Sequence, residues 1–191
     1  MQQYLDSVDM LEALDLKVTK IVSGNEFTIA MTDEGELWGW GRNEKSQIGV
    51  GGGMSIDMYA MESMPIRVEG QLEGKKIVDV SAGYEHTAAI TADGELYFWG
   101  RKQFLEPQAM GQELNVDFVS VACGRGYVLA VARNGELYGF GEQKNLRKGK
   151  HGVLGLGNTD NLTNPVRVPV EGQVKSISAG QHHVIIEVIA E

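Results

Sequence analysis

The apolar and polar positions of this chain fall into one pattern written several times over. "VSGNEFTIAMTDEGELWGWG", "SAGYEHTAAITADGELYFWG" and "ACGRGYVLAVARNGELYGFG" run in parallel without a gap, and "SAGQHHVIIEVIAE" opens a fourth copy. In each full copy a short β-prone stretch (Thr28 to Met31, Thr87 to Ile90, Val128 to Val131) runs into Glu-Gly, Asp-Gly or Asn-Gly. Those dipeptides tolerate positive φ in a tight hairpin turn. The strand that follows carries Leu37, Leu96 or Leu137, with Trp38, Tyr97 or Tyr138 facing the other way. The pattern predicts consecutive antiparallel strands over residues 77–81, 87–91 and 95–99, turning at Asp93-Gly94. A further short strand is predicted after Pro65 and Pro165, at "IRV" and "VRV". Ala30, Ala89 and Ala130 share one register, as expected where neighbouring sheets approach closely.

The first glycine of each copy falls at Gly24, Gly83, Gly124 and Gly180, and the turn glycine at Gly35, Gly94 and Gly135. The copies are therefore 59, 41 and 56 residues apart, which means constant strands joined by variable loops. Three or four strands per unit at such a period is the signature of a β-propeller blade. The expected fold class is all-β: a partial propeller of about three and a half blades. The repeats are placed at residues 18–76, 77–115, 116–173 and, incomplete, 174–191.

The kernel "SAGYEHTAAITADGELYFWG" and the later "GVLGLGNTDNLTNPVRV" resemble the repeat of the regulator of chromosome condensation family over residues 18–189. The resemblance implies a seven-bladed propeller architecture. Two departures stand out. Ser46 occupies a place in "SQIGVG" where the family pattern has glycine, and the second repeat lacks that glycine-rich loop, which shortens the outer edge of its blade.

Three units and the opening of a fourth cannot close a ring of seven, and an open arc leaves blade faces and strand edges without partners. "VIIEVI" at 184–189 is five-sixths β-branched aliphatic and stops before the hairpin that would cover it. Ile186 and Val188 are accordingly candidate contact residues. The occupant of this edge is expected to be residues 1–17, a second copy of the chain or another polypeptide; alternatively the chain is a piece of a longer product. Residues 1–17, "MQQYLDSVDMLEALDLK", do not match the repeat. They predict a short amphipathic helix, capped by Asp6 or Ser7 and packed on the chain's own blades, with a partner-binding helix as the alternative.

Composition narrows the chemistry. Twenty-six acidic residues against 17 basic ones give a formal charge of -9, which argues against nucleic acid and anionic membrane as general partners. The single cysteine, Cys123, cannot form an internal disulfide, and a reducing intracellular setting is the expectation. His86 and His183 share a repeat position with Phe27 and Tyr127, so that position wants a ring to pack. His151 and His182 lack ligand neighbours at a zinc-like spacing. "GVGGG" and "GVLGLG" lead into no Gly-Lys-Ser/Thr sequence, so no phosphate cradle is expected. Trp38, Trp40 and Trp99 read as core, and Glu36, Glu95 and Glu136 at the hairpin turns as exposed. No catalytic, metal or cofactor residue is assigned.

Two loops break the pattern. "MSIDMYAMESM" places Met54, Met58 and Met61, with Tyr59 among them, on one face of a helical turn; it suits gap-filling over a core, or an adaptable contact surface. "EQKNLRKGKH" lengthens the third repeat and gathers Lys144, Arg147, Lys148 and Lys150 against Glu142 alone, a solvated loop or a contact for an acidic partner. The sequence reads as a non-enzymatic interaction or assembly module, a subunit completed by a protein partner or a second copy. The alternative the resemblance permits is a guanine-nucleotide exchange regulator of a small GTPase.

Overall fold

The turn glycines decide where each sheet folds back. A computed structural model describes residues 14–51, 60–142, 144–145, 149–150, 152–157 and 160–189. Gly35, Gly94 and Gly135 adopt φ of +81°, +82° and +83°, a region open to glycine at little steric cost. Each amide donates back across its turn, to the Thr32, Thr91 or Ala132 carbonyl.

The first blade is β1 (Val18–Ser23), β2 (Phe27–Thr32), β3 (Leu37–Arg42) and β4 (Met61–Arg67), paired in chain order. The second is β5 (Ile77–Ala82), β6 (His86–Thr91), β7 (Leu96–Gly100) and β8 (Phe104–Met110). The third has β9 (Phe118–Cys123), β10 (Tyr127–Ala132), β11 (Leu137–Gly141) and, beyond a small ladder of β12 (Lys144–Asn145) and β13 (Gly149–Lys150), the outer β14 (Leu162–Val168). The fourth holds, among the described residues, two strands, β15 (Gln173–Ala179) and β16 (Val184–Ile189). Every pair is antiparallel. The partial propeller and the strands expected over 77–99 are therefore present.

The outer strands begin earlier than the sequence suggests. Pro65 and Pro165 lie inside β4 and β14, as Pro107 lies inside β8. All three fall in the same bulge, where the register slips opposite Trp40, Phe140 and Trp99. An outermost strand tolerates proline there because no ladder bond needs its missing N–H.

The core lies between blades rather than within one. Phe27, Ile29, Leu37 and Ile48 of the first blade pack on Val80, Ala89, Tyr97 and Trp99 of the second. Ala88, Ile90 and Phe98 pack in turn on Val121, Ala130, Tyr138 and Phe140. Leu129, Leu137 and Leu154 pack on Val174, Ile177, Val184 and Ile186. The predicted N-terminal helix does not extend over residues 14–17, which form a turn into β1; residues 1–13, where the rest of that expectation falls, lie outside the described residues.

Candidate interaction surface

The arc is locked by contacts repeated at each blade junction. The carbonyls of Gly35, Gly94 and Gly135 accept hydrogen bonds from Ile77, Phe118 and Val174, the first strand of the next blade, at 2.8–2.9 Å. Nearer the axis each kernel glycine faces the ring three residues on: a Cβ on Gly24, Gly83, Gly124 or Gly180 would fall 2.0–2.3 Å from Phe27, His86, Tyr127 or His183. The ring position is thus a packing position, as the interchange of Phe, His and Tyr implies. Burial pushes the His86 imidazole down to about 3, with the nearby Arg101 charge acting the same way. Burial raises the Cys123 thiol to about 12, so this cysteine is an inert core residue. Asp79 ties three blades together: its carboxylate meets Lys20 Nζ at 2.5 Å and accepts the Val121 amide at 2.8 Å.

The hairpin glutamates are paired, not simply exposed. Glu36, Glu95 and Glu136 accept hydrogen bonds from the aromatic residue two positions on, Trp38, Tyr97 and Tyr138. Each also meets a cation: Arg67 at 2.8 Å, Lys75 at 2.6 Å and Arg167 at 2.7 Å. The hydrogen bonds from Asn134 and Tyr138 hold the Glu136 carboxyl below its usual range.

Against this regular interior, the two ends of the arc differ. On the first blade Trp38 and Trp40 are half-buried, whereas their counterparts Tyr97 and Trp99 are buried; Ile21 is 54% exposed where Val80 is fully buried. At the other end β16 pairs, among the described residues, with β15 alone. Ile185 is 65% exposed, while Ile29, Ala88 and Leu129 in the same register are at most 1% exposed. Val188 is exposed, and Ile186 is half-buried against the third blade.

A subtler mark of the open end lies in the glycine-rich loops. Ser46-Gln47-Ile48-Gly49 and Gly152-Val153-Leu154-Gly155 make the same turn, with Gly49 N donating to the Ser46 carbonyl and Gly155 N to that of Gly152. A Cβ on Gly49 would meet the Trp99 indole of the following blade at 2.5 Å, but one on Gly155 would meet nothing within 4 Å among the described residues. Sequence reading passes over this contrast, because "IGVG" and "LGLG" look alike and only the neighbour differs.

The structure distributes the other predicted contact residues over separate blades. Met61 is exposed on β4 beside exposed Met64 and Ile66, so it fills no gap. Met54, Met58 and Tyr59 lie outside the described residues, as do Arg147 and Lys148. Lys144 pairs with Lys150 and Asn145 with Gly149 across the β12–β13 ladder, so the described ends of the basic insert lie side by side. Among the described residues no group of three or more His, Cys, Asp or Glu could hold a metal, and no helix is long and apolar enough to cross a membrane.

The regulator of chromosome condensation (RCC1) repeat matches residues 34–90 and 134–186, and a second form of the same repeat matches 18–47 and 77–104. The chain belongs to the RCC1 repeat family. Among curated relatives, the Arabidopsis thaliana ultraviolet-B receptor UVR8 is 40% identical over 44% of this chain, and human RCC2 is 37% identical over 46% of it. Human E3 ubiquitin-protein ligase HERC2 is 37% identical over 45%. The matches span 18%, 16% and 2% of those proteins. Among solved structures, human WBSCR16 superposes with a TM-score of 0.77 at 19% identity, covering 92% of this chain and 46% of its own. Prp20p of Saccharomyces cerevisiae, described with its binding properties to Gsp1p and histones, gives 0.75 at 24% identity over 88% of this chain and 43% of its own. These two likenesses show the fold, and that the RCC1 chain here spans less than half of either propeller.

Proposed function

We propose that this RCC1-repeat chain is a non-enzymatic interaction and assembly module that works as one arc of a larger particle. The observation that carries the reading is the pair of unfinished ends. One presents Ile21, Trp38 and Trp40, and the other β16, paired with β15 alone among the described residues, with exposed Ile185, Val188 and Ile189. Exposing such side chains forfeits roughly 1.5–3 kcal/mol each relative to burial, and contiguous apolar ends of this kind mark protein contact surfaces. The rigid stack of blades would hold them in place, with Met61, Met64 and the basic insert as secondary contacts. The test is the mass of the native particle: it should exceed that of one chain and contain a second polypeptide, and a lone compact monomer would overturn the reading.

Promotion of nucleotide exchange on a small GTPase is the second reading, favoured by the likeness to Prp20p. Release of a fluorescent guanine nucleotide from a panel of purified GTPases discriminates the two; acceleration by this chain alone would favour exchange.

A further inference from the structure

The three complete hairpins turn on the same glycine but approach it with different residues: Glu34-Gly35, Asp93-Gly94 and Asn134-Gly135. Asn134-Gly135 is the one Asn-Gly pair in the sequence. The main-chain nitrogen after an asparagine can attack the side-chain carbonyl, and glycine, with no Cβ, obstructs that approach least. Asp93 offers a carboxylate, a poor electrophile at neutral pH, and Glu34 adds a methylene that enlarges the ring to be closed. The third hairpin therefore stands apart as the one whose turn can modify itself.

The fold holds the reacting groups back from that chemistry. Asn134 is exposed to water, but both ends of its amide are engaged by Glu136. Oδ1 accepts the Glu136 main-chain N–H at 3.1 Å, and Nδ2 donates to Glu136 Oε2 at 3.1 Å. The Gly135 amide, the nucleophile of the reaction, donates to the Ala132 carbonyl at 2.9 Å. Glu136 is itself fixed by the Tyr138 hydroxyl at 3.1 Å and Arg167 at 2.7 Å. Attack therefore waits for the turn to open locally. Behind the turn lies the next blade. The Gly135 carbonyl accepts the Val174 amide at 2.9 Å, and a Cβ on Gly135 would fall 2.8 Å from Gln173 Cβ. Extra main-chain length at residue 134 would have to be absorbed against these contacts.

We propose that Asn134 is a site of spontaneous deamidation, latched in the folded turn by Glu136 and the Gly135–Ala132 bond, whose isoaspartyl product loosens the junction between the third and fourth blades. The Gly135 nitrogen bonds to Asn134 Cγ, the Cγ–Nδ2 bond breaks, and ammonia leaves with the proton lost from Gly135. Water then opens the succinimide at one of its two carbonyls. Opening at Cγ gives aspartate; opening at the main-chain carbonyl gives isoaspartate, which carries the chain through Cγ and adds one methylene to it. Water is the only co-reactant. Either product adds a negative charge, but isoaspartate alone lengthens the main chain beside Gln173 and Val174. The inference is independent of which partner meets the ends of the arc.

The test ages the full chain in mildly alkaline buffer and follows Asn134 by peptide mass mapping, with isoaspartate scored by enzymatic methylation of its free main-chain carboxylate. Conversion should be measurable in the native chain and at least about tenfold faster in denaturant, where no turn holds the amides. Glu136→Ala should speed native conversion by about threefold, the worth of one modest hydrogen bond. Glu136→Gln, which keeps an acceptor for Asn134 Nδ2, should restore most of the latch, and thermal melting confirms that both variants fold. Separated isoaspartyl protein should exchange its amides over residues 173–179 about tenfold faster than the parent, with the second blade unchanged. Asn134→Asp, which adds the charge without the methylene, should exchange like the parent. No conversion of Asn134 in the native chain, or equal rates in native and denatured chains, overturns the latched site. A Glu136→Ala chain that ages at the parental rate removes Glu136 from the latch. Isoaspartyl protein with unchanged exchange overturns the loosening of the junction.

Discussion

The single Tyr127 hydroxyl proton is shared between the His183 carbonyl at 2.8 Å and the Gly180 carbonyl at 2.9 Å. One phenol of the third blade thus holds the turn between the two strands of the fourth, which no third strand covers in the described chain. The pairing explains why tyrosine stands at a position filled elsewhere by Phe27 and His86. Tyr127→Phe should keep the ring on Gly124 and lose both bonds, costing about 1 kcal/mol. Hydrogen exchange should quicken over residues 173–189 and stay unchanged in the second blade; a uniform change would show that the hydroxyl does not act locally.

Ser46 is a departure from the repeat with a measurable cost. It is buried at φ +59° in the place where Gly152 takes φ +53°, and its hydroxyl finds no partner among the described residues. A left-handed non-glycine residue costs about 1–2 kcal/mol. Ser46→Gly should therefore raise the denaturation midpoint by the equivalent of about 1 kcal/mol, after allowing for the extra freedom of glycine in the unfolded chain. A neutral or lower midpoint would mean that the serine is held by contacts the geometry does not reveal.

Much of this fold is legible because its signals are local. Asp93-Gly94 and the alternation around Leu96 lie within a few residues of the hairpin they specify, and repetition confirms them in three places. What escapes the sequence depends on distant partners. Glu36 and Glu136 look exposed because Arg67 and Arg167 lie about thirty residues on, in strands whose starts are obscured by Pro65 and Pro165. The open edge at 184–189 is legible from five β-branched aliphatics in six residues, but the open space beside Gly155 among the described residues is not. A glycine's sequence context does not say whether an indole lies against it.

Glycines at the blade junctions should be costlier to replace than their turn geometry alone requires. A Cβ on Gly94 would fall 2.9 Å from Asp117 Cα of the third blade, whereas one on Gly155, also at positive φ, would meet nothing within 4 Å among the described residues. Gly155→Ala should cost about 1 kcal/mol from its backbone conformation. Gly94→Ala should cost at least about 1 kcal/mol more, because the next blade must move. Equal losses in the two variants, by chemical denaturation, would show that the close approach relaxes freely.

Burial of His86 should limit the stability of the fold in mild acid. Its imidazole is fully buried against the Gly83 turn, and burial lowers its pKa from 6.5 to about 3. Below pH 6.5 the unfolded chain binds a proton there that the folded chain refuses until about pH 3. The unfolded state then holds more protons, so stability falls as the pH drops through that window, by roughly 1.4 kcal/mol per unit. Between pH 7 and pH 5 the loss from this one group is about 2 kcal/mol. Carboxylates with lowered pKa, such as Glu136 and Glu187, add their own loss only as the pH nears 4.5 and below, so the upper part of the window isolates the histidine. Phe27 shows that a phenyl ring fits beside a kernel glycine, and His86→Phe should fold with similar stability at pH 7. Its denaturation midpoint should change far less than that of the parent between pH 7 and pH 5. If both proteins lose stability equally over that range, His86 is protonated in the folded state and its burial is not what sets the acid limb.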